Sequence, residues 1–95
     1  MKVRIYFCKE PNDIQRGRLS RAALVTIYDL VWEAEFKNLI TIGKLWLKVN
    51  GKEEPFGIPL KHKRHHKSLL PGDIIEMNNE FYMVMDVGVK KIVLS

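Results

Sequence analysis

Three turn signals near the end of the chain, Pro71-Gly72, Asn78-Asn79 and Gly88, cut its last apolar stretch into pieces that read as short strands. Ile74 and Ile75 stand at the centre of the first piece, residues 73–77. In the second, 80–87, Phe81, Met83 and Met85 alternate with Tyr82, Val84 and Asp86, the period of a strand whose two faces differ. Residues 91–94 supply a third. The final third of the sequence therefore predicts a three-stranded antiparallel meander.

The same period opens the chain, where Val3, Ile5 and Phe7 alternate with Lys2, Arg4 and Tyr6. Residues 9–18, with Pro11, Asn12, Asp13 and Gly17, read as an exposed loop. Ser20 is suited to cap a helix, and Leu24, Ile27, Tyr28, Val31 and Glu35 then fall on one helical stripe, which predicts a helix over 20–37. Val25, Trp32 and Phe36 lie off that stripe, so this helix would be apolar over more than half its circumference and would pack against two surfaces, a second copy of the chain being one of them. Residues 39–42 suit either a helix extension or a short strand. Over 44–49, Leu45, Leu47 and Val49 alternate with Lys44, Trp46 and Lys48, and Asn50-Gly51 follows as a hairpin turn, with a return strand over 52–56 limited by Pro55. The expected fold is α+β: an antiparallel sheet of four to six strands packed against one main helix.

With 95 residues the chain has room for one core, so residues 1–95 are expected to form a single domain. Cys8 is the only cysteine, which excludes an intramolecular disulfide and reads as core packing. Residues 2–8 alternate in character instead of presenting the apolar core of a signal peptide, and no apolar run approaches the roughly 18 residues needed to span a bilayer. The expectation is a cytoplasmic protein without membrane contact. Few Gln and Asn beside many Lys, Ile and Val suggest a thermophilic source.

The net charge of +5 is concentrated. Lys61, Lys63, Arg64 and Lys67 lie within seven residues that contain no acid, and the rest of the chain carries only +1. Lysines and arginines on a flexible loop are what a phosphate backbone requires, so these four are candidate nucleic-acid ligands for DNA or RNA. Arg16, Arg18 and Arg21 form a second candidate cluster; near a helix N-terminus they oppose the macrodipole, a cost that an anionic partner would relieve. His62, His65 and His66 could hold zinc by number, but the flanking cations disfavour a divalent ion and no carboxylate is adjacent, so no metal is predicted. Trp46 and Tyr82 are weaker candidates as stacking platforms on strands. There is no phosphate-binding glycine loop and no nucleophile set in a His-carboxylate arrangement. Enzyme activity, a cofactor and a small-molecule substrate are not expected.

Ser68, Leu69, Leu70, Pro71, Gly72, Asp73, Ile74 and Ile75, then Phe81-Tyr82, then Val87-Gly88-Val89-Lys90-Lys91-Ile92 form a layout that resembles the small YodL-like proteins of phages, viruses and mobile elements. Leu70-Pro71 replaces the Ser-Val of that pattern, and Val89 stands where an aromatic is usual. The resemblance implies a viral or mobile-element source, hence a host cytoplasm, and implies no activity. Gly72 and Asp73 are explained without a ligand, by a turn and by bonds from Asp73 to nearby backbone N–H groups. The functional expectation is an accessory protein binding nucleic acid through the basic loop; the alternative is a protein-interaction module or homodimer using the apolar helix.

Overall fold

The computed structural model describes residues 1–8, 21–50, 54–61 and 69–94, apart from the side chains of Ala23 and Val25. The elements are β1 (Lys2–Cys8), α1 (Arg21–Thr26), β2 (Tyr28–Glu35), α2 (Ile42–Val49), β3 (Ile74–Met77), β4 (Glu80–Val84) and β5 (Val89–Ile92), with a tight 3-10 turn at Pro55–Gly57. The five strands make one antiparallel sheet in the order β2-β1-β3-β4-β5. This is the α+β architecture expected, with a sheet of five strands.

The β3-β4-β5 meander forms as its turn residues dictate. Asn78 and Asn79 adopt φ values of 51° and 66°, the left-handed conformations that a two-residue hairpin requires and that Asn tolerates. β4 ends at Val84, because the Met85 N–H turns back to the Gly88 carbonyl at 2.9 Å, and β5 starts at Val89, two residues before the expected position. β1 lies inside the sheet, with Ile5 opposite both Trp32 and Ile75. Because β2 and β3 flank β1 and both run against it, the chain must cross from one to the other. Residues 36–72 make most of that crossover, which the buried Asp73 joins to β3, and α2 rides on it.

Each face of the sheet carries its own apolar cluster. Val3, Ile5, Phe7, Ile75, Met77 and Val84 point to the face covered by Leu45 and Val49 of α2. Cys8, Ile74, Met83 and Ile92 point to the other, where Leu24 of α1 and Tyr28 cover one end. Cys8 is buried there, as the packing reading expects.

Two sequence expectations are corrected. The helix foreseen over 20–37 ends at Thr26, and 28–35 is the edge strand β2. A β-bulge explains the misleading stripe: Ile5 pairs with Trp32 and Tyr6 with Leu30, leaving Val31 as the extra residue. The bulge places Val31 and Trp32 together in the core, so strand residues acquire helix-like spacings. Trp32 is completely buried, so no over-apolar helix exists to present it with Phe36 to a partner. Secondly, the strand foreseen over 44–49 is helix α2. Thr41 caps it, its hydroxyl accepting from the Lys44 N–H at 3.2 Å. Leu45 and Val49, one turn apart, are buried, whereas Leu47 is 76% exposed, which only a helical period allows. Asn50 therefore closes a helix rather than a hairpin, and Pro55–Gly57 is a turn where a return strand was expected.

Candidate nucleic-acid interface

The crossover is chemically unlike the rest of the chain. Residues 36–72 hold eight of the sixteen Lys and Arg and only two of the eleven acids, Glu53 and Glu54. The sheet frame is left with slightly more acid than base. Lys37, Lys44, Lys48 and Lys61 are the described cations of the crossover; all are exposed, and none is in an ion pair among the described residues. Lys44 and Lys48 stand one turn apart on the outer side of α2, with Leu47 between them. The first turn of α2 has no acid, so Lys44 faces the positive end of the helix dipole uncompensated.

Both ends of the basic segment are fastened to this surface. The Lys61 N–H donates to the carbonyl of the bulged residue Val31 at 2.7 Å, and the Leu69 N–H donates to Asn50 Oδ1, just past α2, at 2.9 Å. Lys63, Arg64 and Lys67, like His62, His65 and His66, lie outside the described residues. So do Arg16 and Arg18. Arg21 is the first residue of α1 and lines a shallow cleft with Asn79, Glu80, Phe81 and Lys91 beside β4 and β5. Lys61 is instead bonded to β2, at the other end of the strand order from β4 and β5. The described members of the two arginine and lysine clusters are thus not brought together.

An ion network that the sequence did not disclose occupies the sheet face away from α2. Arg4 Nε donates to Glu33 on β2, while Arg4 Nη1 and the Tyr6 hydroxyl both reach Glu76 on β3 at 3.2 Å. Glu76 is 7% exposed and is matched by these donors. The Arg4 hydrogen bond chiefly holds the Glu33 carboxyl below the usual range, with Lys2 and Lys61 adding to it. Through these carboxylates Arg4 and Tyr6 clamp β1 to both of its neighbours. Alternation placed Arg4 opposite to Val3 and Ile5, but only strand order and register could reveal its partners.

Asp73 is the other buried acid, with 0% exposure. Its Oδ1 accepts from the Cys8 N–H at 2.9 Å and its Oδ2 from the Leu70 N–H at 2.8 Å. Next to it, the Tyr28 hydroxyl donates to the Gly72 carbonyl at 2.5 Å, and the Gly72 N–H donates to Val84 at 2.7 Å. Gly72 takes φ 100°, which a side chain would strain. The motif ties β1, β2 and β4 to the turn before β3, as the ligand-free reading of Gly72 and Asp73 expects. Among the described residues no three His, Cys, Asp or Glu are grouped to hold a metal ion.

All three tyrosines are pushed above their ordinary value of 10. Tyr6 reaches about 12, through burial first and Glu76 second. Tyr28 is raised by burial, with Cys8 and Asp73 contributing, and Tyr82 by its hydrogen bond to Glu80. Folding thus favours the protonated hydroxyls. For Tyr6 the stabilisation is complete below pH 10 and is lost as pH rises through about 12. In an alkaline titration followed by near-ultraviolet absorbance, the native protein should show much less than half of its tyrosinate at pH 10; half-ionisation there would contradict this.

An aromatic group joins the crossover to β2. Phe56 stacks on Trp32 with ring centres 6.0 Å apart and meets Phe36 edge-on at 5.1 Å. Phe56 has φ 55° and ψ 26°, a left-handed conformation rare for a bulky residue and costing about 1–3 kcal/mol. Trp46, expected on a strand, projects from α2 and is half-buried against the main core cluster, to which Trp32 belongs. Tyr82 is half-buried on β4, with its hydroxyl donating to Glu80 at 2.8 Å. No helix of the described residues is long and apolar enough to cross a membrane. No protein-family model, curated protein or solved structure matches the chain.

Proposed function

We propose that the protein is a small accessory protein of a virus or mobile element that binds nucleic acid through its basic crossover. The observation that carries this reading is the segregation of charge: eight cations against two acids in residues 36–72, with Lys44 and Lys48 exposed on α2 and in no ion pair among the described residues. A polyanion approaching this surface meets a positive field, and each phosphate contacted releases condensed counterions. The opposite sheet face, with Glu33 and Glu76, offers no such field. The C-terminal resemblance supports the viral or mobile-element part of the reading.

Anisotropy of labelled DNA and RNA across a salt series tests it. Binding should weaken steeply with salt, and the Lys44→Ala, Lys48→Ala double variant should flatten the log-log slope by up to about 0.7–0.9 per lysine removed. No binding at low salt, or an unchanged slope, would overturn the assignment to this surface. A protein partner is the second reading, favoured by Leu39 and Leu47, which are 83% and 76% exposed. In that case sedimentation should show a concentration-dependent mass, and nucleic acid should not bind.

A further inference from the structure

Duplex and single-stranded nucleic acids share phosphates, so the lysines alone do not choose between them. The aromatic side chains do. We infer that the crossover surface takes a single-stranded polynucleotide, with Phe56 as the residue on which a base stacks. The inference rests on the nucleic-acid reading above and sharpens it.

Three observations lead to Phe56. The segment 54–61 runs beside β2 and is fixed there twice: the Trp32 indole N–H donates to the Ile58 carbonyl at 3.0 Å, and the Lys61 N–H donates to Val31. Phe56 and Lys61 are thereby held within five residues of each other, a span of at most about 18 Å. Next, the completely buried Trp32 is the floor beneath Phe56, and Phe36 braces it from the side, so the ring is positioned before any ligand arrives. Phe56 itself keeps part of its surface in water. Lastly, its backbone angles would suit Gly or Asn without strain, yet the sequence places an aromatic ring there. Packing against Phe36 and Trp32 accounts for part of that choice. A base continuing the Trp32–Phe56 stack accounts for the ring remaining partly uncovered at the margin of the basic surface.

The charge supports the same occupant. Lys61 follows Phe56 by five residues and Lys44 and Lys48 stand exposed on α2 of the same crossover, none in an ion pair among the described residues, and a cationic track with a π-face is the combination that binds unpaired strands with little sequence preference. A duplex keeps its base faces stacked internally and would leave Phe56 unused.

The test compares an oligothymidylate, an abasic strand of equal length and a duplex of equal length, by anisotropy at low salt; an oligouridylate arm separates DNA from RNA. The wild-type protein should bind the base-bearing strand roughly 5- to 150-fold more tightly than the abasic strand if one base stacks. Phe56→Gly, whose backbone suits the turn, should remove most of that ratio, and Phe56→Tyr should retain it. Equal affinity for base-bearing and abasic strands, or tighter binding of duplex, sinks the stacking proposal while leaving the basic surface standing. Binding of none of the polymers sinks both.

Discussion

Replacing Asp73 with Ala should cost about 3–5 kcal/mol of folding stability, read from urea denaturation followed by circular dichroism. Its carboxylate accepts from two backbone N–H groups that lie far apart in sequence, Cys8 at the end of β1 and Leu70 before the turn. Hydrogen bonds to a charged group contribute about 1.5–3 kcal/mol each, and the Cys8 N–H would be stranded in the buried site that Asp73 occupies, while the Leu70 N–H, only partly buried, would lose its carboxylate partner. Asp73→Asn separates the two contributions. One oxygen still accepts, but the new amide points its own N–H groups at a donor, so about half the loss should remain. Since domains of this size are stable by only about 5–15 kcal/mol, the Ala variant should lose much of its margin. A cost below about 1 kcal/mol would show that the Pro71-Gly72-Asp73 turn stands without its carboxylate.

The second large effect is expected at Trp32, which fills the core where the bulge in β2 turns two consecutive residues inward. Trp32→Ala should destabilise by about 3–5 kcal/mol, the range for emptying a large aromatic site. It removes the surface on which Phe56 stacks and leaves the Ile58 carbonyl without its indole donor. Trp32→Phe keeps most of the ring packing and loses the hydrogen bond, so about 1–2 kcal/mol is expected. Similar costs for the two variants would mean that the hydrogen bond, rather than the packing, is the main contribution.

The strands whose turns are built from special residues were readable before the structure. Asn78-Asn79 and Pro71-Gly72 constrain the backbone directly, so the meander follows from local chemistry, and β1 follows from strict alternation beside it. The middle of the chain misleads for identifiable reasons. Around Val31 a bulge breaks the period of two, so Tyr28 and Val31 imitate a helical stripe while lying on a strand. Over 44–49, alternate Leu and Lys imitate a strand, and the decisive evidence is the cap at Thr41 and the burial of Leu45 with Val49 but not Leu47. Both errors concern tertiary choice between two periods that short segments satisfy equally well. On the proposed interface, Lys61 and its neighbours were legible as charge. The part proposed for Lys44 and Lys48 was hidden because a strand would have put Trp46 on their side, and that proposed for Phe56 because nothing in a sequence announces a left-handed phenylalanine.

The position of β1 between β2 and β3 also bears on the order in which the molecule can be assembled. β2 can join β1 early, since Ile5 and Trp32 are separated by a short stretch of chain. Ile75, the partner on the other side, is made seventy residues after Ile5, so during synthesis at about 5–20 residues per second one flank of β1 waits roughly 4–14 s for its neighbour. Throughout that interval a row of unpaired amides and carbonyls on an apolar ribbon is exposed to other chains. The meander, whose contacts are local, can then fold by itself and close the gap in one docking event. Completion of the sheet is thus a late, long-range step.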